Sequence, residues 1–254
     1  MRNIAATNLK PETSTQWSVG ILLEPVQGAS LGVDYWRIEK KDAIGSITAD
    51  TILADPDNLA LYNQYIARFR RSPIGTTLFV DQPLENLGGL KTAGWDVDAK
   101  MRFNPRFAKL SLSFVGTYIS EWKAQQGKDF SFISYLGNSF NGGNAYPRWT
   151  HVASIDLERG PWLGTIEQTY TNGWTEAFAG GGTHHISSVS RINLAAKFSG
   201  IRNVAIKVGV RNALDHVPPY TDVSSNGSHA AGYANAVADP RGRFWYGTLT
   251  YSFK

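Results

Sequence analysis

Val204-Ala205-Ile206-Lys207-Val208-Gly209-Val210-Arg211 decides the fold class. Every second residue is β-branched and apolar, and those between are small or cationic. Side chains of a strand alternate between faces, so this octet predicts a strand with one apolar and one polar face. The rhythm returns in Trp95, Val97, Ala99, Met101 and Phe103, set against Asp96, Asp98, Lys100 and Arg102. It recurs in Trp17, Val19, Ile21 and Leu23, in Leu31, Val33 and Tyr35, and in Leu110, Leu112 and Phe114. Trp149, Ala153, Ile155 and Leu157 repeat it, as do Ile192, Leu194, Ala196 and Phe198, and finally Trp245, Leu249, Tyr251 and Phe253. Residues 162–170 fit less well, because Gln168 falls on their apolar face. The pattern predicts about nine strands. Many reach about 9–14 residues, against about five or six in a globular sheet. A tilted membrane strand needs about 9–11.

The connections between these strands alternate in length. Short turns fall at residues 25–28, 104–106, 159–160 and 200–202, and long ones at 45–85, 123–147, 172–184 and 213–240. Short periplasmic turns and long external loops are the asymmetry of outer-membrane barrels. By that rule the last strand runs from outside towards the periplasm. Trp17, Trp36, Trp95, Trp122, Trp149, Trp162 and Trp245 lie near predicted strand ends, where amphipathic rings collect at a bilayer interface. The first long loop has a helical signature. Asp55 can cap it, Pro56 suits the first position, and Leu59, Tyr62, Ile66 and Phe69 follow at helical spacing. Ser72-Pro73 is expected to end that helix.

Composition agrees with a β protein whose apolar face meets lipid. Hydrophobic residues are 42% and aromatic residues 12% of the 254, whereas charged residues are only 18%, below the roughly 25% of soluble domains. No Cys is present, which excludes a disulfide scaffold and a Cys-based zinc site. The formal charge of +4 is dispersed rather than gathered on one element, so nucleic acid is not an expected partner. A soluble sandwich of the lectin or esterase kind also alternates, but its strands are shorter and its apolar faces meet each other.

Five blocks of sequence resemble one family, in the family's order. Asn8-Leu9-Lys10-Pro11-Glu12-Thr13 before Trp17 is the first. Val33-Asp34-Tyr35-Trp36-Arg37-Ile38 with Asp42 and Ile44 is the second, and Asn86-Leu87-Gly88 with Gly94-Trp95-Asp96 is the third. Asn212-Ala213-Leu214-Asp215 with Pro218-Pro219 follows, then Gly242-Arg243 with Tyr251-Ser252-Phe253. The chain resembles the C-terminal part of a TonB-dependent outer-membrane receptor. That resemblance implies a barrel of about 22 strands with a plug in its lumen. It implies uptake of a small ligand, such as a ferric siderophore, haem, cobalamin or a carbohydrate, across the outer membrane of a Gram-negative bacterium. The implied partners are outer-membrane lipid, the barrel-assembly machinery through Tyr251 and Phe253, and the TonB complex through a plug and TonB box. The matched blocks contain no plug, TonB box or leader, and an odd strand count argues for a piece of a longer precursor. Lys254, after the terminal aromatic, departs from the family's usual ending.

The expected fold is therefore all-β. It is an antiparallel transmembrane β-barrel fragment of about nine long strands over residues 1–254, with short periplasmic turns, long external loops and one short helix in the first of them. Two alternatives to a receptor wall are a truncated remnant and a small porin-like or adhesin barrel without energised transport.

No enzyme, cofactor or metal motif stands out. His184 and His185 are adjacent in a strand and so point to opposite faces, and Glu176 is the nearest third donor. Gly180-Gly181-Gly182 precedes a strand, not the helix a phosphate cradle needs. Asp96 and Asp98 share a face with Lys100 and Arg102, as balanced lumen charges would. The candidate ligand residues lie in external loops. Arg68, Arg70 and Arg71 either complement the end of the loop helix or attract an anionic ligand, such as a ferric siderophore or a sugar acid. Tyr146, Trp174, Phe178 and Tyr233 either stack on that ligand or order the loops.

Overall fold

The structure is a computed structural model. It describes residues 2–6, 8–47, 63, 65–125, 127–128, 130–140, 146–177, 182–221, 232–233 and 239–253. Nine long strands stand out among the described residues. They are β1 (Thr13–Val26), β2 (Ala29–Lys41), β3 (Leu90–Phe103), β4 (Lys109–Ala124) and β5 (Trp149–Arg159), then β6 (Trp162–Thr171), β7 (Val189–Ile201), β8 (Val204–Arg211) and β9 (Phe244–Tyr251). They lie side by side in chain order, a meander from β1 to β9, and short Ile133–Ser134 pairs beside β4 to make a ten-stranded sheet. The tight connections carry their own turn chemistry. Gly28, Gly160 and Asn203 all have positive φ, as two-residue hairpin loops require.

The register aligns the apolar residues into rows. Leu112, Ile155, Ile166, Leu194, Val210 and Trp245 are successive partners across β4–β9. On the other face Ser113, Ser154, Glu167 and Asn193 form the adjacent row. A soluble sheet would bury the apolar row, yet Ile166 is 50% and Trp245 70% exposed. The polar face is instead closed by its own hydrogen bonds. Ser113 and Ser154 hydroxyls meet at 2.7 Å, Thr165 Oγ1 donates to Asp156 at 2.5 Å, and Asn193 Nδ2 donates to Glu167 at 2.8 Å. Gln168, the misfit on the apolar face, donates its amide to Ser190 at 2.9 Å.

Aromatic residues bracket the apolar rows. His151 stacks on Tyr170 at 5.0 Å beside Trp149, and Trp162 meets Phe198 at 4.6 Å at the other end of β6. Trp162 and Tyr170 stand eight residues apart on β6, about 27 Å at about 3.4 Å per residue. A strand tilt of about 40° reduces this to about 21 Å, close to the roughly 25 Å apolar band of membrane barrels.

The chain divides into two compact units. One comprises residues 1–17, 37–92 and 122–134. In it Arg2–Ile4 runs parallel to Thr77–Pro83, which also pairs with Phe69–Arg71, and Ile44–Gly45 pairs with Glu85–Asn86. Ile47 and Tyr65 are its buried centre, packed by Phe69, Leu87 and Phe130. The other unit comprises residues 18–36, 93–121 and 135–254. It adds a small sheet of Asn138–Phe140, Trp174–Ala177 and Thr183–Ile186.

The helix expected in the first long loop is corrected at its end. Its start, from Asp55 through Tyr62, lies outside the described residues. Ile66–Arg68 is a single 3-10 turn, and Phe69–Arg71 is a strand. Ser72-Pro73 does not stop a helix but opens a hairpin turn. Gly75 donates its N–H to Ser72 O at 2.9 Å, with Pro73 in the turn position its fixed φ favours. Phe69 sits opposite Val80 in the ladder, and its ring packs on the Ile47–Tyr65 centre.

Gly94, from the third matched block, is a point of close approach. A Cβ there would lie 2.6 Å from the Trp36 ring and 2.7 Å from the Tyr118 carbonyl oxygen. The oxygen belongs to the neighbouring strand's backbone and cannot yield without disturbing the ladder. Gly94→Ala is expected to cost about 1–3 kcal/mol by overpacking. Gly164→Ala, with nothing within 4 Å of its Cβ, is expected to be near neutral. Urea titration of the membrane-embedded variants checks this; equal effects at both glycines would refute it.

Candidate functional site

The matched blocks meet one another in space, which explains their residue types. Asn86 accepts the Lys10 N–H at 2.8 Å and donates to the carbonyls of Lys10 and Asp42, each at 2.8 Å. Glu12 accepts the Ile44 N–H and pairs with Lys40, each at 2.6 Å. Three blocks are thus joined by two side chains. The last two blocks are joined likewise, since Asp215 accepts the Arg243 N–H at 2.7 Å. Asn212, at positive φ, closes its turn by exchanging side-chain hydrogen bonds with the His216 backbone, each at 2.9 Å. These positions are structural clasps.

The three loop arginines do not converge on one open point. Arg70 Nε donates to Asp81 Oδ2 at 2.7 Å, and Arg2 holds the other oxygen at 2.6 Å. The Arg70 hydrogen bond, seconded by Arg2, holds the Asp81 carboxyl below its ordinary range against the opposing effect of burial. Arg68 pairs with Glu85 at 2.6 Å and lies 4.4 Å over the Tyr65 ring. Among the described residues, Arg71 reaches only the Gly75 carbonyl, at 3.3 Å.

The loop aromatics divide. Trp174 is buried, opposite Ile186 in the small sheet. Tyr146 bridges to Leu136 and meets Tyr135 edge-on at 6.3 Å. Tyr233 is half-buried. Phe178 lies outside the described residues, as do Gly180, Gly181 and Lys254. Glu176 faces His184 across the small sheet, Oε2 to Nδ1 at 3.7 Å, while His185 faces Thr175. Glu176 is fully buried and also receives the Thr221 hydroxyl. Of the two terminal aromatics, Tyr251 ends β9 opposite Val204, and Phe253 meets it edge-on at 4.8 Å. On β3, Asp96 accepts the Thr117 hydroxyl at 2.6 Å and Asp98 pairs with Lys100.

Sequence reading missed a polar cavity of about 350 Å³ on the hydrogen-bonded face, at the long-loop ends of β6–β9. Glu167, Arg191, Asn193, Arg211, Asp239 and Arg241 line it. Asp239 and Arg241 form a fork-to-fork pair, with Nε 3.0 Å from both carboxylate oxygens and the terminal nitrogen 2.6 Å from one. The Arg241 side chain, then its backbone N–H, draw the Asp239 carboxyl down to about 2, and the Arg191 charge adds to this. A signal was present in the sequence: Arg191 and Asn193 alternate on the polar face of β7, and Arg211 ends the opening octet.

A sheet that is apolar and exposed on one face, hydrogen-bonded and polar on the other, and bracketed by aromatics is a wall of an outer-membrane-type β-barrel. Residues 2–213 match the family described as TonB dependent receptor-like, beta-barrel. The chain belongs to that family. Solved structures agree on the fold. A ferric enterobactin receptor from Pseudomonas aeruginosa superposes with a TM-score of 0.63 at 18% identity, covering 96% of this chain and 32% of the receptor. The siderophore receptor PirA from Acinetobacter baumannii gives 0.61 at 16% identity, over 97% and 32%. The FrpB iron transporter from Neisseria meningitidis gives 0.60 at 14%, over 99% and 33%. The chain thus spans about a third of the length of these proteins. No curated protein matches the sequence.

Proposed function

We propose that this chain forms part of the barrel wall of an outer-membrane receptor that takes up a small ligand with energy supplied through TonB. The observation that carries the reading is the two-faced sheet. Its apolar rows suit lipid, and its polar face, where Asp156 and Glu167 are held by hydrogen bonds from neighbouring strands, suits a wet lumen. Ligands of the class include ferric siderophores, haem, cobalamin and carbohydrates, and the polar face accommodates a hydrophilic one. Lipid and the barrel-assembly machinery are its partners in the membrane, the latter meeting Tyr251 at the end of the last strand and Phe253 just beyond it.

Cells with and without the intact coding region test this reading. They are compared for accumulation of radiolabelled ferric enterobactin, haem, cobalamin and galacturonate. Accumulation of one compound is expected to fall at least about tenfold on deletion, and as far in intact cells when the proton gradient is collapsed. Accumulation insensitive to the gradient would favour the porin-like alternative, and no difference for any compound would reject transport.

A further inference from the structure

The polar cavity of β6–β9 holds more positive charge than its own carboxylates neutralise. Arg241 is committed to Asp239. Arg191 and Arg211 face the same space, and no carboxylate of the described residues lies within ion-pair distance of either. Neither charge is neutralised by a carboxylate there, although Arg211 lies 5.8 Å over the Tyr246 ring, and the planar forks of both suit a carboxylate. The cavity is not simply cationic. Glu167 also faces it, fixed in place by the Asn193 amide at 2.8 Å. Asn193 is itself engaged on both sides, because its Oδ1 accepts the Asn212 N–H at 2.9 Å. An ionised carboxylate accepts up to about four hydrogen bonds, so Glu167 retains acceptor capacity for a ligand's hydroxyl group. Phe244 closes one side with an exposed ring, a platform for a carbon skeleton.

We propose that this cavity binds a sugar acid, its carboxylate between Arg191 and Arg211 and its hydroxyls on Glu167, an inference that rests on the polar face being the ligand's route. A bare phosphate fits less well, since it has no carbon skeleton to lay on Phe244 and cannot reach Glu167 with a hydroxyl set apart from its charge. The volume of about 350 Å³ lies at the small-molecule end of pocket sizes, suited to a single sugar unit.

The test is calorimetric titration, in detergent micelles, of the purified protein encoded by the intact coding region with D-galacturonate. Arg191→Gln and Arg211→Gln are each expected to weaken binding about tenfold, the usual scale for a charge-assisted hydrogen bond. Asp239→Asn releases Arg241 and is expected to tighten it, a gain that a misfolded variant would not give. D-galactose, without the carboxylate, and acetate, without the hydroxyls, should both bind more weakly. Absence of galacturonate binding, affinities unmoved by all three substitutions, or equal binding of inorganic phosphate would overturn the proposal. The titration needs no energised membrane. Intact, substitution-sensitive binding with no cellular uptake would therefore strike the transport reading and leave the site standing.

Discussion

Ile166→Arg is expected to destabilise the membrane-embedded chain by about 2–4 kcal/mol, the cost of a cation at the bilayer midplane on a barrel's lipid face. Ile166 sits mid-strand in β6, between Ile155 and Leu194, in the row that continues to Trp245. It is 50% exposed, so the loss does not come from a packed core. It comes from placing a charge where hydrocarbon replaces water. The matched control is Ser111→Arg. Ser111 lies on the opposite face, directly across from Asp156, so a cation there gains a carboxylate and stays wet. Its effect should stay below about 1 kcal/mol. Reversible urea titration of both variants in phosphatidylcholine vesicles measures the difference. Equal losses at the two positions would remove the assignment of faces and, with it, the wet polar route that the proposed function requires.

The strands and their faces were legible in the sequence because period-two alternation is a property of the backbone itself. The octet ending at Arg211 needs no distant partner to declare which residues share a side. Connection lengths were legible for the same reason, since positive-φ residues such as Gly28 and Gly160 mark tight hairpins locally. What lay within the long loops was not. Phe69–Arg71 is only three residues long, and its strand character depends on pairing with Thr77–Pro83. Short segments carry too little pattern to separate a helix turn from a strand. The role of Arg70 depends on Asp81, which a third residue, Arg2, also holds from 79 positions away. No local reading finds that triad. The polar cavity is a subtler case. Its residues were visible singly, as polar-face alternation, but Asp239 and Arg241 join them through a connection whose course the sequence does not prescribe.

Trp174 is where a binding reading and a packing reading give opposite expectations. Exposed indole rings in external loops are natural stacking platforms for a ligand. Trp174 instead retains 2% of its surface, opposite Ile186 at 1%, with Glu176 buried two residues along the same strand. Its ring is therefore the central mass of the small sheet formed by Asn138–Phe140, Trp174–Ala177 and Thr183–Ile186. Trp174→Ala is expected to cost about 3–5 kcal/mol, the range for removing a buried large aromatic. A sheet of such short strands has little local stability beyond that, so its opening should become a major population. Hydrogen exchange is the direct measurement. Amides of Trp174–Ala177 and Thr183–Ile186 should lose protection by about a hundredfold or more, while those of β5 and β6 keep theirs. Trp174→Phe, which keeps most of the apolar volume, should recover the greater part. Unchanged exchange in Trp174→Ala together with weakened ligand binding would return this residue to the ligand. Lost protection with binding intact at the Arg191–Arg211 cavity would show that the loop sheet is a scaffold and that recognition sits on the barrel wall beside it.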